Sequence, residues 1–416
     1  MLFAAACLSC GGGQREIGTG ATPAPTLPVQ PAPLSAGERA MLNEVARLRA
    51  LPAPDALTIG YVSRAQLPAV LDSTLTGDDH RWFAATTTLY RLLGYIGPED
   101  DFLEIYRTFA SEAVIGLYDP SRKTVWVVAG DAAGGFAALT PAERATLAHE
   151  FVHALQDARF DLAPAAKRAQ QDHDRDIAWA ALAEGDAVTH ERLHSGRSGM
   201  APGGLNLLFA DVGGSPAGIP APIERAFRFP YNAGADWVRG LREREGTTGI
   251  DRLFEAGPAT TAAILHGAAV GGPPPPALPD LSGLPGSGWQ RQSGGTLGEF
   301  EWQNFLLQRV RALDAATAAA GLTSDRYEVY VRGGASILVA RVLCRDEAAA
   351  AAFRTALRTW ADAAGLTSAD RPRYSLAAAS GSNTIAASTG SGREVVVVIG
   401  TGEKDVEAAM RALTGG

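Results

Sequence analysis

The sequence predicts an α+β fold with two units, the second smaller than the first. Three observations predict this class. The chain has 416 residues, enough for two domains with a large core. A pair of β-rich runs with a hairpin signal precedes the most clearly capped helix. Beyond a Pro/Gly-rich segment at residues 271–288, which we interpret as a linker or long loop, strand-like runs and helices predict a further α+β unit.

The composition is that of a globular protein, with 46% hydrophobic and 20% charged residues. The formal net charge is -8, from 37 basic and 45 acidic residues. Because the chain is mildly acidic and has no basic stretch, we exclude nucleic acid as a partner. The three cysteines, Cys7, Cys10 and Cys344, do not form a disulfide framework.

The first residues resemble the end of a bacterial lipoprotein signal. Residues 1–9 are apolar or small throughout, and Cys10 is followed by three glycines. The resemblance implies that residues 1–9 are removed and that Cys10 carries the lipid. Residues 10–36 are rich in Pro, Thr, Ala and Gly, which predicts a disordered tether. We therefore expect an extracytoplasmic protein that a lipid anchors to the bacterial cell membrane.

Periodic patterns begin near residue 37 and define a first domain over residues 37–270. Ser63 is placed to cap one of its helices. The patterns predict helices over about 38–51, 66–71, 78–93, 101–109, 176–194, 223–227 and 235–245, and a strand over 57–62.

The C-terminal domain is expected over residues 289–416. Its Ala-rich and amphipathic runs predict helices, and its Val-rich runs predict strands. The predicted helices cover 297–313, 346–364 and 403–413, and the predicted strands cover 327–331, 336–343 and 394–399.

The hairpin signal consists of Val114–Tyr118 and Thr124–Val128, which are separated by a polar turn. The helix that follows has the sharpest start in the chain. Thr140 is its predicted N-cap, Pro141 takes the first helical position, and Glu143 completes a capping box. We expect this helix to run to about residue 158.

This helix contains the pattern His149-Glu150-Phe151-Val152-His153. Two histidines four positions apart lie on one face of a helix, so both imidazoles can reach one metal ion. Glu150 lies beside them and can take a proton from a metal-bound water. The pattern predicts a zinc (Zn²⁺) site with His149 and His153 as ligands and Glu150 as the general base.

The same pattern occurs again at His190–His194. There it contains the charged Arg192, and Ser195 and Gly196 follow at once. The first occurrence is flanked by apolar residues, as expected for a helix buried on its other faces. We therefore interpret the first as the metal site and the second as the solvated end of a helix.

Two histidines and a water leave one ligand of a catalytic zinc site to be found. Glu184 is an acidic residue in the small, apolar run Ala181–Ala187, and a buried carboxylate needs a partner such as a metal. We expect it to be the third ligand, with Glu191 as the alternative. The long separation between His153 and Glu184 implies an inserted loop, which the polar stretch 167–175 would supply.

The chain resembles a gluzincin-type zinc peptidase of the kind found in bacterial lipoproteins. The metzincin subclass is excluded, because Gln156 and Arg159 stand where its glycine and third histidine occur. The resemblance spans about residues 38–266 and implies a zincin-like core, with a small sheet, an active-site helix and a glutamate helix. It implies no particular substrate. The residues that carry it are Val114–Pro120, His149–Asp157 with Phe160–Leu162, Glu184–Ala187, Phe229–Tyr231 with Gly234, and Ala259–Thr261 with Ile264–His266.

Other residues are candidates for supporting roles. Metal-bound histidines usually donate to an acceptor that fixes the ring, and Asp157 or Asp186 is placed to serve. The oxyanion of a peptide-hydrolysis intermediate usually needs a further donor, for which His266, Tyr231 and Tyr118 are candidates. One strand of the hairpin is a candidate for pairing with an extended peptide substrate, although both strands can equally lie inside the sheet.

The sequence thus predicts a membrane-anchored zinc peptidase that acts on a peptide or protein substrate. The alternative is a catalytically silent zincin-fold lipoprotein that binds a partner or a cell-wall component. A purely structural zinc site is disfavoured, because such sites close with four ligands and favour cysteine.

Overall fold

The structure, a computed structural model, describes residues 27–197, 218–257, 260–267, 274, 277–283, 288–363, 384–389 and 392–414. Within these ranges the protein is α+β, with helices packed around a four-stranded and a five-stranded sheet. This confirms the predicted class. The lipidation residue Cys10 and most of the expected tether lie outside the described residues.

The first sheet contains β1 (Ala32–Pro33), β2 (Thr58–Val62), β3 (Gly116–Asp119) and β4 (Thr124–Val128), in the order β1-β2-β4-β3. The predicted hairpin is confirmed, because β3 and β4 pair antiparallel, whereas β2 and β4 run parallel. β3 is therefore an edge strand. β1 pairs with β2, so the expectation that folded structure begins near residue 37 is wrong by a few residues.

The helices of this part surround a long pair at the centre. The helices are α1 (Ala36–Arg49), α2 (Leu67–Thr74), α3 (Gly77–Leu92), α4 (Phe102–Ala113), α5 (Gly135–Ala138), α6 (Pro141–Phe160), α7 (Leu162–Ala169), α8 (His173–Arg197), α9 (Ala221–Phe229), α10 (Ala235–Ala256) and α11 (Thr261–His266).

Helix α6 begins as predicted. The side chain of Thr140 accepts from the backbone N–H of Glu143, and the Glu143 carboxylate accepts from the backbone N–H of Thr140. Beyond its first turn the helix is enclosed by α1, α7, α8 and the strands β3 and β4. It is buried without a break from Ala145 to Asp157, which explains its lack of an amphipathic pattern.

Helix α8 extends further at both ends than predicted. The sequence pattern that we expected to be a solvated helix end lies within it, and that expectation is wrong, because His190 and Glu191 are fully buried and His194 is nearly so. The loop expected at 167–175 is also partly helical, since α7 ends at Ala169. The inserted segment therefore packs as a short helix against α8.

The second sheet and its helices occupy the rest of the described chain. The predicted helix 297–313 is in fact two, and β5 and β8 were not predicted. The elements are β5 (Gln290–Gly295), α12 (Gly298–Leu306), α13 (Ala312–Ala319), β6 (Leu322–Arg332), β7 (Ala335–Cys344), α14 (Glu347–Ala363), β8 (Thr384–Thr389), β9 (Glu394–Gly400) and α15 (Glu403–Thr414), with strand order β5-β6-β7-β9-β8.

Residues on both sides of the predicted 271–288 linker share one apolar core. The cluster includes Phe227 and Phe229 from α9, Phe300 and Trp302 from α12, and Leu338 from β7. Ring contacts follow the same path, since Phe229 and Phe300 have centroids 4.3 Å apart. The second sheet and its helices are therefore packed directly onto helices of the N-terminal part of the chain, α9 among them.

Within the described residues, no helix is both long and apolar enough to cross a bilayer. Cys344 is a buried free thiol.

Candidate metal centre

Helices α6 and α8 pack side by side and bring His149, His153 and Glu184 together. One ligand atom from each lies within 4.8 Å of the others, and all three residues are buried. Glu184 Oε2 is 3.1 Å from His149 Nε2 and 3.4 Å from His153 Nε2, and the two Nε2 atoms are 3.1 Å apart. With metal–ligand distances near 2.0–2.1 Å, ligand atoms of a tetrahedral zinc site are separated by about 3.3 Å. The donor set and its spacing therefore fit zinc.

The second nitrogen of each imidazole has an acceptor. Glu191 Oε2 lies 3.2 Å from His149 Nδ1, and Gln156 Oε1 lies 2.9 Å from His153 Nδ1. An acceptor at Nδ1 favours the tautomer that carries its proton there and leaves the Nε2 lone pair for a metal. Both rings are thus oriented with Nε2 toward Glu184.

A buried polar network lies behind His153. The Gln156 amide donates to Asp186 Oδ2 at 2.9 Å and to the Ala183 carbonyl at 3.0 Å. Arg49 Nε donates to the same Asp186 oxygen at 2.8 Å, and both of these side chains are fully buried. Asp186 was predicted to accept directly from a metal-bound histidine. In the structure it accepts from the Gln156 amide instead, and Gln156 in turn contacts His153.

The electrostatics of the cluster favour a cation. Burial raises the pKa of Glu184, but the imidazoles of His153 and His149 hold it well below its usual range. Burial lowers the pKa of His149, but hydrogen bonds to Glu184 and Glu191 raise it to about 10. Burial also raises the pKa of Glu150 to about 7. Three buried acidic side chains, Glu150, Glu184 and Glu191, thus surround the imidazoles, and a divalent ion bound at Nε2 of His149 would displace the proton held there.

Glu150 lies directly under the edge strand β3. A Cβ built on Gly116 would be 2.8 Å from Glu150 Oε1 and 2.5 Å from Thr146 Cγ2, so only glycine fits this position. The strand therefore approaches the helix at backbone distance, and the carboxylate of Glu150 faces the first residue of an outer strand.

Tyr231 is the predicted donor that the structure brings to the cluster. It lies in a π-helical turn, Pro230–Gly234, between α9 and α10. Its ring stacks on that of His149, with centroids 6.3 Å apart and an interplanar angle of 24°. Burial raises the pKa of its phenol well above the ordinary value, and a hydrogen bond to Glu184 adds to this. The hydroxyl therefore stays protonated.

Two glycines allow this turn to reach α8. A Cβ on Gly185 would be 2.4 Å from the carbonyl oxygen of Gly234, and a Cβ on Gly234 would be 2.4 Å from that of Ala181. The backbones of α8 and the π-turn are therefore in direct contact beside Glu184. This explains why glycine directly follows the acidic ligand candidate.

His266 does not join the cluster, which corrects its assignment as an oxyanion donor. Its Nε2 lies 2.8 and 2.9 Å from the two carboxylate oxygens of Glu299, and its side chain is 44% exposed. The sequence around it offers no local reason for an imidazole. The structure supplies a long-range hydrogen-bond partner instead, the Glu299 carboxylate on α12.

Asp157 is also placed differently from the prediction. Its Oδ2 accepts from the Tyr118 hydroxyl at 2.7 Å and from Lys123 Nζ at 2.6 Å, and its Oδ1 accepts from the Leu162 backbone. It therefore ties α6 to the hairpin rather than orienting a histidine. Tyr118 is correspondingly engaged with Asp157 rather than with the cluster.

Three residues that the prediction did not assign to these roles complete the site. Glu191 was considered only as an alternative ligand, although its position two helical turns after Glu184 places it on the same face. Gln156 lies one helical turn after His153, so its position in the sequence also places it on the same face as that histidine. Arg49 comes from α1, and no spacing in the sequence links it to the site.

The comparisons with known proteins reach only the C-terminal part of the chain. Residues 287–410 match a family described as a domain of unknown function (DUF8575). No curated protein and no solved structure matches the chain. The matched region covers the second sheet, and the candidate metal centre lies outside it.

Proposed function

We propose that the protein is a zinc-dependent peptidase that hydrolyses peptide bonds in a peptide or protein substrate. The observation that carries this proposal is the convergence of His149 Nε2, His153 Nε2 and a Glu184 oxygen within 4.8 Å, with Glu150 beside them. Three protein ligands leave a fourth position of a tetrahedral ion for water, as catalytic zinc sites require.

When bound, zinc would act as a Lewis acid that makes water a stronger nucleophile and polarises the scissile carbonyl. The chain's own residues would do the rest. Glu150 accepts the proton of the attacking water on its carboxylate and delivers it to the leaving amine nitrogen. Glu191 and Gln156 would keep both imidazoles oriented. Tyr231, whose hydroxyl is hydrogen-bonded to Glu184 in this structure, would turn to donate to the developing oxyanion.

We propose that the substrate backbone pairs with the edge strand β3. An outer strand can add an extended peptide by main-chain hydrogen bonding. Because Gly116 lies against Glu150, a peptide paired along β3 would run past the catalytic carboxylate. The proposed activity is therefore on extended segments rather than on helical ones.

The proposed location is extracytoplasmic, with Cys10 lipidated and the chain anchored to the bacterial cell membrane. The support is the lipoprotein-like signal at the start of the sequence. Incorporation of a radioactive fatty acid that is lost in Cys10→Ser would support this location, and equal labelling of the variant would contradict it.

The activity is tested by substituting Glu150→Gln. This removes the proton acceptor and keeps the shape, so hydrolysis of a quenched fluorescent peptide library should fall by about 10²–10⁴-fold while zinc content is unchanged. The matched control is Glu255→Gln, since Glu255 is exposed on α10 and pairs with Arg159. Retained activity in Glu150→Gln would contradict the mechanism. Stoichiometric zinc without hydrolysis of any peptide would favour the silent, binding alternative.

A further inference from the structure

A cleft of about 460 Å³ lies between α3, the start of α8 and the edge strand β5. It is separate from the metal centre, because His173 in its wall comes eleven positions before Glu184 on α8, or about 16 Å along the helix axis. A volume of this size is in the range of sites for small molecules. The cleft is therefore a candidate for a ligand other than the peptide substrate.

One wall of the cleft is apolar and comes from a single face of α3. Trp82, Ala85, Thr86 and Leu89 line it, at the three- and four-residue spacing that places side chains on one side of a helix. Thr86 and Leu89 are buried, whereas Trp82 is partly exposed. The indole of Trp82 is therefore the main apolar surface on which the body of a ligand can pack.

Two exposed arginines line the same cleft, Arg81 from α3 and Arg291 from β5. Among the described residues in the lining, none carries a carboxylate. His173 also lines the cleft, but it is buried and its Nε2 lies 2.6 Å from the Glu301 carboxylate, which balances its charge. An anion in the cleft would therefore meet two guanidinium groups and no carboxylate in the wall.

The carboxylates that pair with the two arginines are each shared with a second cation. The contacts are those of Asp78 with Arg81 and with Lys167, and those of Glu328 Oε1 with Arg291 Nε at 3.1 Å and with Arg326 at 3.6 Å. Four cations thus share two carboxylates. Because each carboxylate balances only one of its two partners, positive charge is left in excess around the cleft.

Asp172 is a further carboxylate near the cleft, directly before the wall residue His173 in the chain. It accepts from the backbone N–H and the hydroxyl of Thr296, at 2.8 and 2.6 Å, and it does not line the cleft. Even with Asp172 counted, the four cations outnumber the three carboxylates.

We propose that this cleft binds a small organic anion, with a carboxylate or phosphate head group on an apolar body of one or two rings. A guanidinium group recognises both kinds of head group through paired N–H donors. The apolar body packs on the indole of Trp82. A head group alone would leave the apolar wall uncovered, and a neutral ligand would leave the excess positive charge unbalanced. The proposal does not depend on the proposed peptidase activity.

The test is isothermal titration of the full-length protein with phenyl phosphate and with benzoate. Phenol and benzamide are the matched neutral probes, and inorganic phosphate is the head group without the ring. At least one of the two aromatic anions should bind saturably, about tenfold more tightly than its neutral counterpart and more tightly than inorganic phosphate. Raising the salt concentration should weaken this binding, because exposed charges are screened.

Arg81→Gln and Arg291→Gln each remove one charge from the wall and should each weaken anion binding by about two- to fivefold. The matched control is Arg311→Gln at the start of α13, which should bind as the parent protein does. Arg311 is 87% exposed and pairs with Asp314 at a spacing of three positions, as Arg81 pairs with Asp78. Hydrolysis of the peptide library should be equal in all three variants, which separates this result from the metal centre.

Four outcomes would overturn the proposal. Neither aromatic anion binds, or a neutral probe binds as tightly as its anionic counterpart. Inorganic phosphate binds as tightly as phenyl phosphate, which would remove the role of the apolar wall. Anion binding is unchanged in both Arg81→Gln and Arg291→Gln, which would place the anion elsewhere on the protein.

Discussion

The chain contains the same five-residue pattern twice, at His149–His153 on α6 and at His190–His194 on α8. Both copies are helical, and the two histidines and the glutamate of each are buried. In the first copy the Nε2 atoms of the two imidazoles approach to 3.1 Å. In the second, His190 Nδ1 donates to the Asp186 carbonyl on its own helix, and His194 Nε2 lies 3.6 Å from Glu44 on α1. The two imidazoles of the second copy are thus engaged with separate partners.

The difference teaches that the pattern supplies two histidines on one helical face but does not decide what that face meets. The face of the first copy meets Glu184. The second copy contributes only Glu191 to the candidate metal centre, through its contact with His149 Nδ1. We therefore expect the first copy to bind the metal and the second to support it and to stabilise the fold.

The largest expected effect is on metal content. His153→Ala removes one of three ligands and should abolish stoichiometric zinc, as measured by mass spectrometry of the purified protein. His194→Ala, the equivalent change in the second copy, should retain one zinc per chain. Equal zinc in both variants, or loss in His194→Ala alone, would reverse the assignment of the two copies.

The next effect is on stability and concerns the support around the second copy. Arg49→Met leaves Asp186 buried without its cation and should reduce the free energy of unfolding by about 3–5 kcal/mol. Urea denaturation measures this. The control is Arg47→Met, at an exposed position of the same helix. A loss below about 1 kcal/mol in Arg49→Met would contradict a structural role for this ion pair.

A smaller effect, on zinc affinity, distinguishes Glu191, which contacts His149 of the first copy, from Glu44, which lies near His194 of the second. Glu191→Gln keeps an acceptor for His149 Nδ1 but removes its charge, so zinc affinity should fall by about 10–100-fold. Competition with a chelator of known affinity measures the change. Glu44→Gln, which alters the partner of His194, should leave zinc affinity unchanged. Equal affinities in both variants would show that Glu191 does not tune the metal centre.

The smallest effect is a pH dependence from the second copy. Burial lowers the pKa of His194, against the attraction of Glu44 and Glu191. Because its folded pKa is below the unfolded value of about 6.5, the unfolded chain takes up the proton first, and stability falls as the pH drops below that value. His194→Gln should remove this part of the loss.

Urea denaturation at pH 7.5 and at pH 5 measures this dependence. The stability lost between these two values should be smaller in His194→Gln than in the parent protein by roughly 1 kcal/mol or less. An identical loss in both proteins would show that His194 titrates normally.

Local signals in the sequence predicted local structure well. The capping box of Thr140 and Glu143 depends on four consecutive residues, and the hairpin before it depends on the fifteen residues from Val114 to Val128. The spacing of His149 and His153, with an acidic residue in an apolar helix, was enough to place the three ligand candidates together. Whether they bind a metal stays a prediction.

The supporting contacts could not be predicted, because they depend on how the helices are rotated and packed. Gln156 contacts His153, whereas Asp157, one residue later and turned by about 100° around the helix, faces the hairpin. His266 pairs with Glu299, and Asp186 pairs with Arg49, at separations that no local pattern encodes.

The paired glycines, Gly185 and Gly234, have a consequence for how the Tyr231 hydroxyl is held. Because two main chains touch there with no side chain between them, the turn that carries Tyr231 lies directly against α8 beside Glu184. A methyl group at either glycine would push the two main chains apart and move the Tyr231 ring away from Glu184. The separation between the Tyr231 phenol and the Glu184 carboxylate thus depends on two side chains that are absent.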